Sequence, residues 1–452
     1  MTDYAATQKT PGSTLGLAVI YVTTLFFIWA VITNLLDPAL AAMKTIFTLS
    51  TIEANLTTSA FFIAYGVMSL PSAGFLSRAG YATSVLVGLA GIVAGCAIAY
   101  FSTVIENYPV FLVALFTMAS GITLLQVAAN PLIAAMGSPK NSAFRLNLSQ
   151  AFNSLGAACG IFFGSSFLLQ GEVFRPDVVV TDALRAQALV DIGAVYVKLG
   201  LALAVFICLM FMVRNVIAKN APQTTGGVSP WTALSSKWAN LGALAIFFYV
   251  GAEVAIGSNL INYLEQEQIL NIDKQDAGHL VTWYMIFAML GRFGGSALLR
   301  FLKGYNILMV AALGAICLCT YVALNYAAVP GEATGSFVMP IVNVDVPVSP
   351  GTLLGFAAIC VGIFNSIMFP TIFTTTLERS SAAASATSGL LCVAIVGGAI
   401  IPPIFAAVRD ATSSYSLAFV VPLICYAYIL WFASAAKSAP IHAIEENVAG
   451  GH

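Results

Sequence analysis

Mostly apolar runs of about twenty residues, the length that crosses a bilayer as a helix, recur along this chain and limit its fold more than any other feature. Stretches such as 241–250 and 311–324 hold no charged residue. Lipid offers no partner to backbone N–H and C=O groups, so only helices or closed barrels span it. A barrel strand alternates apolar and polar positions, and these runs do not, so the spans are expected to be helices. Charge agrees: 8% of the 452 residues are Asp, Glu, Lys or Arg, against roughly a quarter in a soluble domain.

Twelve spans are expected, near 16–42, 54–77, 81–102, 109–136, 145–170, 190–213, 238–264, 278–302, 306–328, 351–377, 385–407 and 415–436. Three connections are longer than the rest, 171–189, 214–237 and 329–350. The middle one contains Lys219, Pro222, Gly226, Gly227, Ser229 and Pro230 and reads as a linker. The expected fold is an all-α membrane protein with twelve transmembrane helices in two pseudo-symmetric six-helix bundles. These are 1–213 and 238–452, with 214–237 as a cytoplasmic linker and a short cytoplasmic tail at the end. Weak internal echoes support the duplication. Phe26-Phe27 pairs with Phe247-Phe248, Gly80-Tyr81 with Gly304-Tyr305, and Gly121-Ile122 before Pro131 with Gly362-Ile363 before Pro370. Repeats of this kind place a substrate site near the midplane between the halves.

Basic residues set the expected orientation. With the N-terminus inside, twelve Lys and Arg fall on the cytoplasmic side and six on the other, and loop 329–350 has neither. Both termini are therefore expected in the cytoplasm, with the chain in a plasma membrane, the inner membrane of a bacterium. The polar start lacks the positive region and cleavage site of a removable signal peptide. A net charge of −1 gives no footprint for nucleic acid. The eight cysteines sit in apolar stretches without CxxC or Cys/His metal spacing and read as buried, inert thiols. No P-loop, HExxH or nucleophile elbow is present, so neither an enzyme nor ATP-driven transport is expected.

An ionisable side chain in hydrocarbon costs roughly 2.5–3.5 kcal/mol even on the mildest scale, which makes such residues informative. Asp37 follows Asn34 by three positions and shares its face. It is either a cavity carboxylate that titrates or holds a cation, or a solvated residue at the outer interface beside Lys44. Glu253 lies well inside the seventh span, between Gly251 and Gly257. It reads as a proton carrier or a sodium ligand, or as a structural acid bonded to another helix. Gln126 and Asn130 share a face of the fourth span, and Asn147, Gln150 and Ser154 form a stripe in the fifth with Asn153 beside it. Amides both donate and accept, as sugar hydroxyls require; the competing reading is amide glue between helices. Asn259, Asn262 and Asn365 are weaker candidates of the same kind. Trp29, Phe152, Trp283 and Tyr284 could supply aromatic faces. Arg78, Arg292 and Arg300 read as anchors near the inner ends of helices 2 and 8, or as latches pairing with acids.

Two strings, Ser120-Gly-Ile-Thr-Leu-Leu-Gln126-Val-Ala-Ala-Asn130-Pro131 and Arg145-Leu-Asn-Leu-Ser-Gln150-Ala-Phe-Asn153-Ser-Leu-Gly156, closely resemble the fucose permease family of the major facilitator superfamily. Tyr249-Val-Gly-Ala-Glu253-Val-Ala-Ile-Gly-Ser258, Gly362-Ile-Phe-Asn-Ser-Ile-Met-Phe-Pro-Thr-Ile-Phe373 and Leu391-Cys-Val-Ala-Ile-Val-Gly-Gly398 look like its glucose/galactose transporter branch. The resemblance covers nearly the whole chain and implies hexose uptake driven by a cation gradient. It implies that Asp37 matches a coupling and binding carboxylate, and that Gln150 and Asn153 match cavity amides. The family's second carboxylate stands where this chain has Gln126, and a family glutamine stands where it has Glu253, so one acid is exchanged for another. Departures are Leu36, Ala386 and Phe405, where the branch carries amides, and a helix 2–3 motif reduced to Gly74-Phe-Leu-Ser-Arg78-Ala-Gly80-Tyr81.

The expected function is import of a glucose- or galactose-like hexose by symport with H⁺ or Na⁺ through alternating access. Asp37 and Glu253 would couple the ion, either of them able to hold Na⁺. Asn34, Gln126, Asn130, Gln150, Asn153, Asn259, Asn262 and Asn365 would bind substrate. No cofactor beyond the coupling ion is expected. The partners are a small sugar and the lipid bilayer, with a monomer as the working unit. The alternatives are another sugar (fucose or N-acetylglucosamine), a small-molecule exporter, or a sugar sensor that does not transport.

Overall fold

The computed structural model describes residues 13–35, 43, 46–47, 51–168, 181–222, 226–325 and 333–442. Asp37 lies outside the described residues, as do Leu36 and Lys44. The first half contains α1 (Ser13–Asn34), α2 (Thr51–Ala79), α3 (Tyr81–Val104), α4 (Tyr108–Ala135), α5 (Ser142–Leu168) and α6 (Asp182–Asn220). The second opens with α7 (Lys237–Leu264), α8 (Lys274–Leu298) and α9 (Gly304–Leu324). Its last three spans are interrupted. The tenth is α10 (Thr352–Asn365) with α11 (Met368–Arg379), the eleventh α12 (Ala384–Val393) with α13 (Gly397–Thr412), and the twelfth α14 (Tyr415–Ala418) with α15 (Val420–Ser438). Among the described residues, nine spans are long and apolar enough to cross a membrane. The chain is an integral membrane protein with twelve spans. Helix starts follow ordinary capping: Asn107, Ser236 and Asp273 accept hydrogen bonds from the N–H groups of Val110, Ala239 and Asp276.

The two halves pack to one plan. In the first, α1 lies on α5, α2 on α4, and α3 on both α4 and α6. In the second, α7 lies on α13, α8 on α10, and α9 on both α10 and α15, the same pairs shifted by six spans. The halves meet where α5 contacts α8 and where α2 contacts α12, again a pair related by that shift. The shared phenylalanines mark the closest crossings. Gly156 of α5 sits on the carbonyl of Phe27, and Gly397 of α13 on the carbonyl of Phe247, so closely that a Cβ on either glycine would collide with backbone.

The echoed prolines also act alike. Proline has no N–H, so the carbonyl four residues earlier loses its helical partner. Pro131 frees the carbonyl of Val127, which accepts from the Ser388 hydroxyl of α12 at 2.8 Å. Pro370 frees the carbonyl of Ser366, at the break between α10 and α11, and that carbonyl accepts from Arg292 Nε at 3.0 Å. Both prolines thus turn a helix backbone into a tertiary acceptor.

Two regions depart from the expected outline. Loop 329–350 contains an antiparallel hairpin, Ser336–Met339 against Val344–Pro347. The sixth span continues as helix to Asn220, past the expected end. The cysteines are free, but Cys208 and Cys317 are exposed on their helices rather than buried. Apolar helix surface facing lipid accommodates a thiol as readily as a packed interior does.

Candidate functional site

A cavity of about 170 Å³ lies at the junction of the halves. The first half contributes Trp29, Gln126, Gln150 and Asn153. The second contributes Tyr249, Val250, Glu253, Arg292, Phe369 and Ile395. Helical spacing explains the grouping: Gln150 and Asn153 are three apart on α5, Tyr249 and Glu253 four apart on α7, so each pair shares a face.

The amides are held from behind. Gln126 Nε2 donates to the Tyr65 hydroxyl at 2.7 Å, and Asn153 Nδ2 donates to the Phe26 carbonyl at 3.1 Å. Each keeps its side-chain oxygen for the cavity. The Gln150 side chain has no hydrogen-bond partner among the described residues and is 7% exposed, so both ends of its amide are available. Trp29, 3% exposed and tilted against Phe26 at 4.2 Å between centroids, supplies an apolar wall.

Glu253 is half-buried, and the groups that act on its charge are Arg292 and Tyr249. The ion pairs among the described residues lie elsewhere, at Asp276–His279, Glu378–Arg379 and Asp410–Arg409. Glu253 and Arg292 therefore share the cavity without touching as an ion pair. Arg292 is instead anchored by oxygens: Nε to the Ser366 carbonyl, Nη1 to the Gln150 carbonyl at 3.3 Å and to the Ser154 hydroxyl. Nη2 has no partner among the described residues. One guanidinium thus ties α8 to the broken tenth span and, across the junction, to α5.

Arg292 is thus neither an anchor at the inner end nor a latch paired with an acid: it lines the cavity and bonds neutral oxygens. Arg300 lies about two helical turns further on, just past the end of α8, which puts Arg292 about 12 Å further from that end at 1.5 Å per residue. That offset was the available signal. Tyr249 and Tyr65, which complete the site, gave none, because tyrosine in a membrane helix is ordinarily packing or belt.

The remaining candidates are not brought to the cavity. Asn34 and Asn259 donate to carbonyls of their own helices, Ala30 and Ala255, each at 2.9 Å. Asn262 is half-buried one turn beyond Asn259, with no side-chain partner among the described residues. Asn365 donates to the Tyr284 hydroxyl at 2.9 Å and accepts from the Tyr426 hydroxyl at 2.6 Å, so its amide is committed to packing. Asn130 is fully buried, and neither amide atom has a partner among the described residues. Among the aromatics, Trp283 donates to the Pro340 carbonyl of the hairpin at 3.2 Å, and Phe152 packs on Phe293. Ala386 and Phe405 are buried away from the cavity, Phe405 against Phe419.

Bonds that join the halves lie between this cavity and the end bearing the α2–α3, α4–α5, α8–α9 and α11–α12 connections, here called the inner end. Asn147 Nδ2 donates to the Arg292 carbonyl at 2.9 Å and to the Ser296 hydroxyl at 2.8 Å. Ser388 to Val127 is the matching bond between α12 and α4.

Two six-helix halves around a polar midplane cavity, bonded together on one side of it, define a secondary transporter architecture. Residues 20–403 match the family model of the Major Facilitator Superfamily. A glucose/galactose transporter of Brucella abortus is 35% identical over 426 residues, 94% of this chain and 95% of that one. Among solved structures, the chain matches the E. coli fucose:proton symporter FucP with a TM-score of 0.79 at 25% identity, over 94% of this chain and 99% of that one. It matches FucP in the outward conformation with a TM-score of 0.78 at 26% identity, over the same shares. The chain belongs to the Major Facilitator Superfamily, in the glucose/galactose transporter branch of its fucose permease family.

Proposed function

We propose that the chain imports a glucose- or galactose-like hexose by symport with a proton. One observation carries the reading: a membrane carboxylate, Glu253, shares a midplane cavity with three amides of the opposite half. Gln126, Gln150 and Asn153 bond the sugar hydroxyls, and Trp29 covers an apolar face of the ring. Gln126 and Glu253 lining one cavity supports the idea that an acid of the fucose permease pattern has moved from the fourth span to the seventh. Asp37, outside the described residues, is proposed as a second coupling carboxylate with Asn34 beside it. The proton rests on similarity to a fucose:proton symporter; sodium at Glu253 or Asp37 is the alternative ion.

Arg292 links ion and gate. Bonds on the inner end, together with similarity to an outward conformation, support reading this as the form open to the outside. Closing over the sugar removes water from Glu253. A bare carboxylate resists that step because desolvating a charge is costly, and a bound proton relieves it. A ligand shifts conformations only through such differential affinity. The inner bonds of Asn147, Arg292 and Ser388 then break and the sugar leaves. Both termini and the 214–237 linker are placed in the cytoplasm by this reading, in a bacterial inner membrane, with residues 1–213 and 238–452 as the rocking halves and a monomer as the working unit.

Uptake of labelled glucose, galactose, fucose and N-acetylglucosamine into proteoliposomes, under an imposed pH or sodium gradient in separate runs, tests this. Accumulation of glucose or galactose under the pH gradient is expected. Absence of accumulation of every sugar under both gradients would overturn the reading in favour of an exporter or a sensor.

A further inference from the structure

A second and larger cavity, about 1360 Å³, opens at the inner end, and both halves wall it. The α4–α5 connection brings Lys140 from the first half. The α8–α9 connection brings Arg300 and Lys303, the end of α11 brings Glu378 and Arg379, and the end of α15 brings Lys437. The last pair neutralises itself: Arg379, 2% exposed, meets Glu378 at 3.2 Å and donates to the Ala436 carbonyl. The other four cations have no acidic partner in ion-pair range among the described residues. Arg300 already reaches across the junction, its guanidinium 4.3 Å from the centroid of the Phe144 ring. A concave site lined by charges of one sign focuses potential and concentrates counter-ions. Nothing in the sugar and ion chemistry of the midplane uses these residues.

We propose that this cavity binds a phosphate-bearing anion, which bridges Lys140 of the first half to Arg300, Lys303 and Lys437 of the second and holds the inner end shut. A phosphate group suits the set better than a carboxylate. It carries up to two charges near neutral pH and three acceptor oxygens, enough for several ammonium donors and one guanidinium fork. The phosphate comes either from a soluble ester or from the headgroup of an anionic lipid, whose diester brings a single charge and a pair of free oxygens to the same donors. Only the effect on transport rests on the transporter reading; binding is measured without sugar.

The full-length protein is reconstituted in phosphatidylcholine, with millimolar inorganic phosphate on both sides or with chloride at equal ionic strength. A second preparation contains phosphatidylglycerol. Melting temperature and sugar counterflow are read for the wild type and for the triple variant Lys140→Gln, Lys303→Gln, Lys437→Gln, whose side chains are exposed and make no hydrogen bond or ion pair among the described residues. The proposal expects phosphate or the anionic lipid to raise the melting temperature of the wild type and slow its counterflow at least about three-fold, with no response in the variant. A response to phosphate assigns a soluble source, and a response to phosphatidylglycerol alone assigns a lipid. Equal responses in wild type and variant, or none in either preparation, overturn it.

Discussion

Placed side by side, the two halves share a skeleton and differ in the chemistry they turn toward each other. Each crosses its first and fifth spans at a glycine on a phenylalanine carbonyl, Gly156 on Phe27 and Gly397 on Phe247. Each uses a proline in its fourth span to release a backbone acceptor. At the cavity the likeness stops. Among the described residues, the first half offers neutral amides and the second offers Glu253 and Arg292. Packing positions tolerate little change without loss of contact, whereas a cavity position is free to diverge. Separating recognition from charge means that rocking the halves changes the distance between the bound sugar and the coupling group.

Four substitutions would break or sharpen that contrast. The largest effect is expected from Arg292→Ala, which strips three hydrogen bonds and leaves Glu253 without a countercharge. Hydrogen bonds from a charged donor contribute about 1.5–3 kcal/mol each, so losing the three should lower both exchange and accumulation by about a hundred-fold or more, with Arg292→Lys intermediate. If counterflow in Arg292→Ala matched the wild type, the second half would not own the charge machinery. Gln150→Ala should act on recognition alone. One or two lost hydrogen bonds, at about 1 kcal/mol each, raise the KM for sugar about ten-fold and leave the accumulation ratio at saturating sugar unchanged. A lowered ratio would tie Gln150 itself to the coupling step.

Asn147→Ala removes two bonds across the inner end. Its effect, about 1–3 kcal/mol, should favour the inner-open form, seen as faster hydrogen exchange at the α4–α5 and α8–α9 connections. Unchanged exchange there would remove Asn147 from the latch. The smallest effect on transport is expected from Asn365→Ala. Two buried tyrosine hydroxyls lose their partner, so the melting temperature drops while the KM stays put; a raised KM would return Asn365 to the substrate site.

Much of this contrast was legible in the sequence, for a physical reason. Gln126, Gln150, Asn153 and Glu253 stood out because polarity inside a membrane helix is costly and helical spacing says which residues share a face. The twelve spans and the repeat followed from apolar runs and paired Gly, Phe and Pro positions. Hidden from view were partners distant in sequence. Asn365 is indistinguishable from a binding amide until Tyr284 and Tyr426, 81 and 61 residues away, are seen to take both its amide atoms. Asn34 and Asn259 bond within their own helices, an option open to any asparagine in a helix. Arg292 was masked by its neighbours, since a count of basic residues near a membrane face does not register depth.

The central claim, that Glu253 of the second half couples the proton to sugar bound by the amides of the first, is tested most directly by Glu253→Gln. Sugar accumulation under a pH gradient and counterflow without a gradient are measured on the same proteoliposomes. The account predicts that accumulation above equilibrium disappears while counterflow persists. Undiminished gradient-driven accumulation in Glu253→Gln would contradict it.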